Sequence, residues 1–160
     1  MEIRNAMISD MGEIEVIYER AREYMKSTGN PTQWGAVYPS RDLILSDLEK
    51  GELFVLTEGD IIDGVFVFTG GSDPTYDKIN GQWLDSLFYR AVHRVASAGR
   101  IRGFLSIVMD YCFSKCNNIK IDTHENNIVM QKALEKYGFQ RCGIIYLENG
   151  EERIAYQMKK

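Results

Sequence analysis

The chain has 160 residues, of which 44% are apolar and 26% charged, and a formal net charge of -4. That length holds one domain with a sizeable core (1–160) and divides poorly into two. The acidic balance excludes the broad basic surface that nonspecific nucleic-acid binding needs, so any anion site has to be local. No stretch reaches the roughly 18 apolar residues of a membrane span, "MEIRNAMISD" lacks the basic-then-apolar order of a signal peptide, and three cysteines fit a reducing compartment. The expectation is a cytoplasmic protein with neither membrane nor nucleic-acid partners.

"EIRNA" reads as a short strand, and Asp10 with Glu13 as a capping box opening a helix. Ile14, Ile17, Tyr18, Ala21, Tyr24 and Met25 recur at helical spacing until "KSTGNP" ends the helix. "GNPTQWGAVYP" is a structured loop carrying Trp34 and Tyr38, after which Ser40 caps a short helix to Leu48. Leu53–Thr57 and Ile61–Thr69 form a hairpin across "EGD", and "GGSDPTYDKINGQ" is an irregular polar connection. The alternation in Leu87–Val95 predicts a fourth strand with Arg90 and Arg94 on one face.

Beyond "GRIRGF", a helical stripe runs from Phe104 to Phe113, "NIKIDT" is a strand, and Met130, Ala133, Leu134 and Tyr137 mark a helix stopped by Gly138. Phe139–Leu147 and Arg153–Met158 close the chain as a hairpin across "ENGEE". The order predicts a mixed α/β (α+β) fold, with about four helices flanking a mostly antiparallel sheet of about seven strands.

"GRIRGF" joins a strand to a helix N-terminus, where unpaired amides can satisfy phosphate oxygens and Arg100 and Arg102 add charge. A structural turn with two solvated arginines has the same sequence. Neither the P-loop nor the dinucleotide-binding pattern fits it. Cys112 and Cys116, four apart, and Cys142 read as small core residues rather than metal ligands.

Arg100-Ile101-Arg102-Gly103-Phe104-Leu105 resembles the Gln/Arg-x-x-Gly-x-Gly/Ala signature of the GNAT family of acetyl-CoA-dependent N-acetyltransferases, with Leu105 in place of the usual Gly or Ala. Asn126 followed by "MQKALEKYGF" is similar to the family's second cofactor segment. "GNPTQW" and "YP" resemble small bacterial members of unassigned acceptor, and the order of elements agrees over essentially the whole chain. The resemblance implies acetyl-CoA as donor, with its pyrophosphate on the amides of Arg100, Ile101, Arg102, Gly103, Phe104 and Leu105. It places the pantetheine arm beside Arg94, Val95, Ala96 and Ser97, with Asn126 and Met130 on the other side. It implies attack by a primary amine in a ternary complex, needs no metal, and admits a homodimer.

The family's frequent base position falls on Tyr89, a poor base when neutral, and its usual acid position on Leu134. His93 reads either as a base facing the cleft or as a packed strand histidine. His124, in "DTHENN", reads either as a catalytic or acceptor-site group or as a loop cap. Trp34 and Tyr38 are an acceptor wall or a plug of the core edge, and Asn126 is a cofactor contact, a helix cap or both. A CoA-binding or structural module with little activity is the competing function.

Overall fold

The computed structural model describes residues 1–160. β1 (Glu2–Asn5) leads through a single 3-10 turn into α1 (Met11–Ser27), followed by α2 (Arg41–Glu49), β2 (Leu53–Glu58), β3 (Ile61–Phe68), β4 (Asn80–Gly81), β5 (Arg90–Ser97), α3 (Phe104–Lys115), β6 (Asn118–Thr123), α4 (Ile128–Tyr137), β7 (Gln140–Tyr146) and β8 (Glu152–Lys159). The strands form one sheet in the order β1-β2-β3-β5-β6-β8-β7-β4. Every pairing is antiparallel except β5 with β6.

Strand alternation sorts the core onto two faces. Phe54, Phe66, Phe68, Val92, Ile119 and Ile121 pack with α3 and α4. Leu53, Val55, Val65 and Val67 pack against α1 and α2 through Ile14, Ile17, Tyr18 and Ile44. Gly64 is required where the layers approach most closely, since a Cβ there would stand 2.2 Å from the Phe104 ring. That contact seats the first turn of α3 on β3 and β5.

Several expectations change. Asp10 does not cap forward. Its carboxylate accepts from the Met7 amide at 2.7 Å and pairs with Arg4, because the 3-10 turn Ile8–Asp10 already occupies the helix entrance. The connection after β3 is more ordered than its composition suggests: Asp73 caps a 3-10 turn, Pro74–Tyr76, and Asn80–Gly81 adds an eighth strand on the edge of β7. The strand expected over 87–95 occupies Arg90–Ser97 instead, and Leu87 and Phe88 lie exposed ahead of it.

A bulge in β5 changes the direction of its side chains. Val65 pairs with Ala96 and Val67 with His93, so Arg94 and Val95 stand opposite Phe66 alone. Arg94 takes the extra place at φ +49°. Arg90 and Arg94 are therefore on opposite faces: Arg90 stacks 3.6 Å over the Phe68 ring, whereas Arg94 reaches Asp47 on α2.

Candidate active site

β5 and β6 pair only at Arg90–Ile119 and Ala91–Lys120. Beyond those residues the parallel strands separate, and the gap opens toward the loop that enters α3. A cavity of about 870 Å³ occupies this region, with Val92, Val95, Ile121, Thr123 and Met130 on its wall. On the α1/α2 side it is bounded by Trp34, Tyr38, Asp73, His93, Arg94 and Asp122, among others.

The bulge sends two successive side chains of β5 into this side. His93, paired with Val67, faces α1 and α2, with Nε2 2.8 Å from Oδ2 of Asp73 and Nδ1 3.9 Å from Oδ2 of Asp122. The first contact is an ion-pair distance without the alignment of a hydrogen bond. Asp73 is held in turn by the amide and hydroxyl of Thr75, at 2.9 and 2.6 Å. Burial pushes the Asp73 carboxyl up, but His93 and Thr75 outweigh it and hold the carboxyl well below the usual carboxylate range. Asp122 accepts from the buried Tyr76 hydroxyl at 2.6 Å, and burial together with Asp122 raises that phenol well above its ordinary value. A tyrosine so held donates to Asp122 and does not ionise.

Arg94 is anchored bidentately to Asp47 at 2.8 and 2.7 Å and donates to the Tyr38 hydroxyl at 3.1 Å, while its carbonyl accepts from Tyr18. Trp34 packs between the Tyr18 and Tyr38 rings, with centroids 5.7 and 6.0 Å away. Trp34 leans on the α1/α2 core, whereas Tyr38 is exposed, and both line the cavity. Because its carbonyl and guanidinium are already engaged, Arg94 contributes fixed shape here more than a free strand edge.

The loop before α3 has a separate arrangement. Arg100 does not project toward an anion. Its guanidinium bonds the buried Asp63 carboxylate at 2.7 Å and the Ile62 carbonyl, which pins the loop to β3. Gly103, at φ +71°, turns the chain into the helix as only glycine does easily. The amides from Arg100 to Ser106 meet no protein acceptor. Arg102 is exposed beside them without an ion-pair partner, and the Leu105 side chain packs against the core. Ala96 is likewise buried against α1, and Ser97 accepts from the Gly99 amide.

Other candidates stand elsewhere. Tyr89 precedes β5 and is buried, its hydroxyl accepting from the Asp73 amide at 2.8 Å, and burial raises its phenol further from service as a base. His124 lies outside the main cavity, in a neighbouring one of about 560 Å³. Its Nδ1 accepts from the Asn126 amide at 3.0 Å, so it caps its own loop, and burial and Arg153 lower its pKa. Asn126 is exposed, and the helix cap is Asn127, whose Oδ1 accepts from the Met130 amide. Asn127 also donates to Gln33, tying α4 to the Trp34 loop. Leu134 is wholly buried, and Tyr137 turns away to Asp110.

The sequence reading passes over Asp73, and it does not reveal that Asp122 stands beside His93. The Asp-Pro-Thr run was the available signal for Asp73, being a cap followed by proline at the first helical position. No group of three or more His, Cys, Asp or Glu side chains converges as metal ligands would. No helix is long and apolar enough to cross a membrane.

No family model matches the sequence, and no curated protein is significantly similar to it. Among solved structures, an acetyltransferase of the GNAT family from Streptococcus agalactiae is 32% identical, with 99% of this chain and 95% of that one covered at a TM-score of 0.89. A GNAT acetyltransferase from Listeria monocytogenes shares the fold at 23% identity and TM-score 0.69, with coverage of 99% and 94%. The yncA protein of Salmonella typhimurium, solved with its cofactor acetyl-CoA, shares it at 16% and 0.62, with coverage of 99% and 92%. The splayed parallel pair, the open amides ahead of α3 and the near-complete match to the streptococcal protein agree, and the chain belongs to the GNAT family of acetyltransferases.

Proposed function

We propose that the protein transfers the acetyl group of acetyl-CoA to a primary amine by direct attack within a ternary complex. The observation that carries this reading is the gap between β5 and β6, which has unpaired amides beyond one end and His93 with two carboxylates along one side. The free amides from Arg100 to Ser106 fit a pyrophosphate, and Arg102 is free to meet the same charge. The apolar wall of Val92, Val95, Ile121 and Met130 fits a pantetheine arm. Bound there, the donor supplies an activated acetyl thioester.

The chain's own groups then have distinct tasks. Trp34 and Tyr38 shape the acceptor's approach, and Asp73 orients His93. His93, directly or through a water, takes a proton from the attacking nitrogen. Asp47 and Glu151 are neutralised by Arg94 and Arg153. The lining carboxylates left without a Lys or Arg partner are Glu52, Asp73 and Asp122, against Lys50 as the unpaired cation, which favours a cationic acceptor.

The second reading, a CoA-binding module with little activity, draws on Leu134, which is buried where the family's usual acid would stand. Thiol release from acetyl-CoA, measured across diamines, amino acids, aminoglycosides and peptide N-termini, separates the two. The expected result is turnover with at least one cationic amine, falling about a hundredfold or more in His93→Gln. Acetyl-CoA binding without thiol release for any amine favours the second reading, and unchanged turnover in His93→Gln removes the histidine from the mechanism.

A further inference from the structure

The acetyl-transfer reading leaves the departing sulfur without a partner, because Leu134 has no polar atom to offer. Thr123, the last residue of β6, meets that need. It pairs with Ile154, which packs in the α3/α4 core, so Thr123 shares that face with Ile119 and Ile121. It also forms part of the cavity wall. The residue is 1% exposed, yet its Oγ1 has no hydrogen-bond partner.

A buried hydroxyl left unpaired costs stability, and valine would fill the same volume without that cost. Val92, Val95, Ile121 and Met130 line the gap on this face and are apolar, and the Asn127 side chain at the start of α4 is engaged with Gln33 and the Met130 amide, so the Thr123 hydroxyl is the uncommitted side-chain donor among them. His93, by contrast, faces α1 and α2 from the opposite side of the sheet.

We propose that Thr123 is a catalytic residue whose hydroxyl donates a hydrogen bond to the sulfur as it leaves, while His93 serves the amine on the other face. The inference rests on the acetyl-transfer reading. In the step, the nitrogen lone pair forms the C–N bond to the acetyl carbon and the C–S bond breaks, its electron pair going to sulfur. The amine proton passes to His93, and the thiolate, held by Thr123, regains a proton from His93 or solvent. Thr123 stabilises the negative sulfur and loses no proton of its own.

The test compares the parent with Thr123→Val and Thr123→Ser in three measurements: thermal unfolding, titration of the thiol of bound CoA by its thiolate ultraviolet absorbance, and kcat and KM on an accepted amine. Thr123→Val is expected to keep or raise Tm, to raise the pKa of the bound thiol by about one unit or more, and to lower kcat between about tenfold and a hundredfold with KM for acetyl-CoA little changed. Thr123→Ser retains most of the parent behaviour. An unshifted thiol titration in Thr123→Val overturns the role of Thr123 and leaves the acetyl-transfer reading standing. A parent protein that does not bind CoA overturns both. The thiol titration needs no acceptor, so it decides the matter even before the amine is identified.

Discussion

At the scale of single residues, the site depends on groups held in unusual positions by several partners at once. Arg94 adopts a backbone conformation that costs a non-glycine residue about 1 kcal/mol or more. The Asp47 carboxylate, the Tyr38 hydroxyl and the Tyr18 hydroxyl all hold it there. The result is that His93 and Arg94, neighbours in sequence, both face the cavity. Asp73 offers a direct check on this electrostatic arrangement. Its folded-state pKa is depressed, so its contribution to stability is present above its unfolded value near pH 4 and is lost as pH falls further. Asp73→Asn is expected to cost about 1–3 kcal/mol at pH 7, and the gap from the parent, followed by urea unfolding, should close on acidification below about pH 4. A gap that stays constant to about pH 3 contradicts the assignment.

At the scale of elements, the periodic segments were legible and the local exceptions were not. The helices declared themselves through their apolar stripes and stops, because burial of one face follows directly from spacing. The strand around His93 was displaced in the sequence reading, since alternation in Leu87–Tyr89 resembles a strand but these residues precede the ladder. A bulge leaves no periodic trace of its own, so the true facing of Arg90 and Arg94 could not be read. The short edge strand Asn80–Gly81 is set by its partner Cys142–Ile144 segment rather than by local propensity. Gly64 carries a function that sequence alone does not reveal, the seating of Phe104 and with it the amides that open α3. Gly64→Ala should lose about 1–3 kcal/mol by overpacking, with weaker acetyl-CoA binding as the first turn of α3 is displaced. Unchanged stability would mean that the Phe104 ring yields at little cost.

At the scale of the molecule, the sheet works by coming apart in one place. A parallel pair that stays bonded for its first residues and then diverges gives one passage reached from both faces of a single layer. The Trp34 loop, α4 and β8 meet at its rim through Gln33, Asn127 and Arg153, so the loop and the helix on either side of the passage are mechanically joined. The family resemblance implies a pyrophosphate cradle on this loop, and its two arginines differ in the structure: Arg100 fastens the loop to Asp63, and Arg102 is exposed without an ion-pair partner.

Calorimetric titration with acetyl-CoA therefore tests the account most directly, using the parent, Arg100→Ala and Arg102→Ala, with thermal unfolding of each. The prediction is one-to-one micromolar binding, weakened several-fold in Arg102→Ala at unchanged Tm, and a lower Tm in Arg100→Ala, whose loss leaves the Asp63 carboxylate buried and unpaired. An absence of binding by a folded parent protein would contradict the assignment of the cradle and gap to acetyl-CoA.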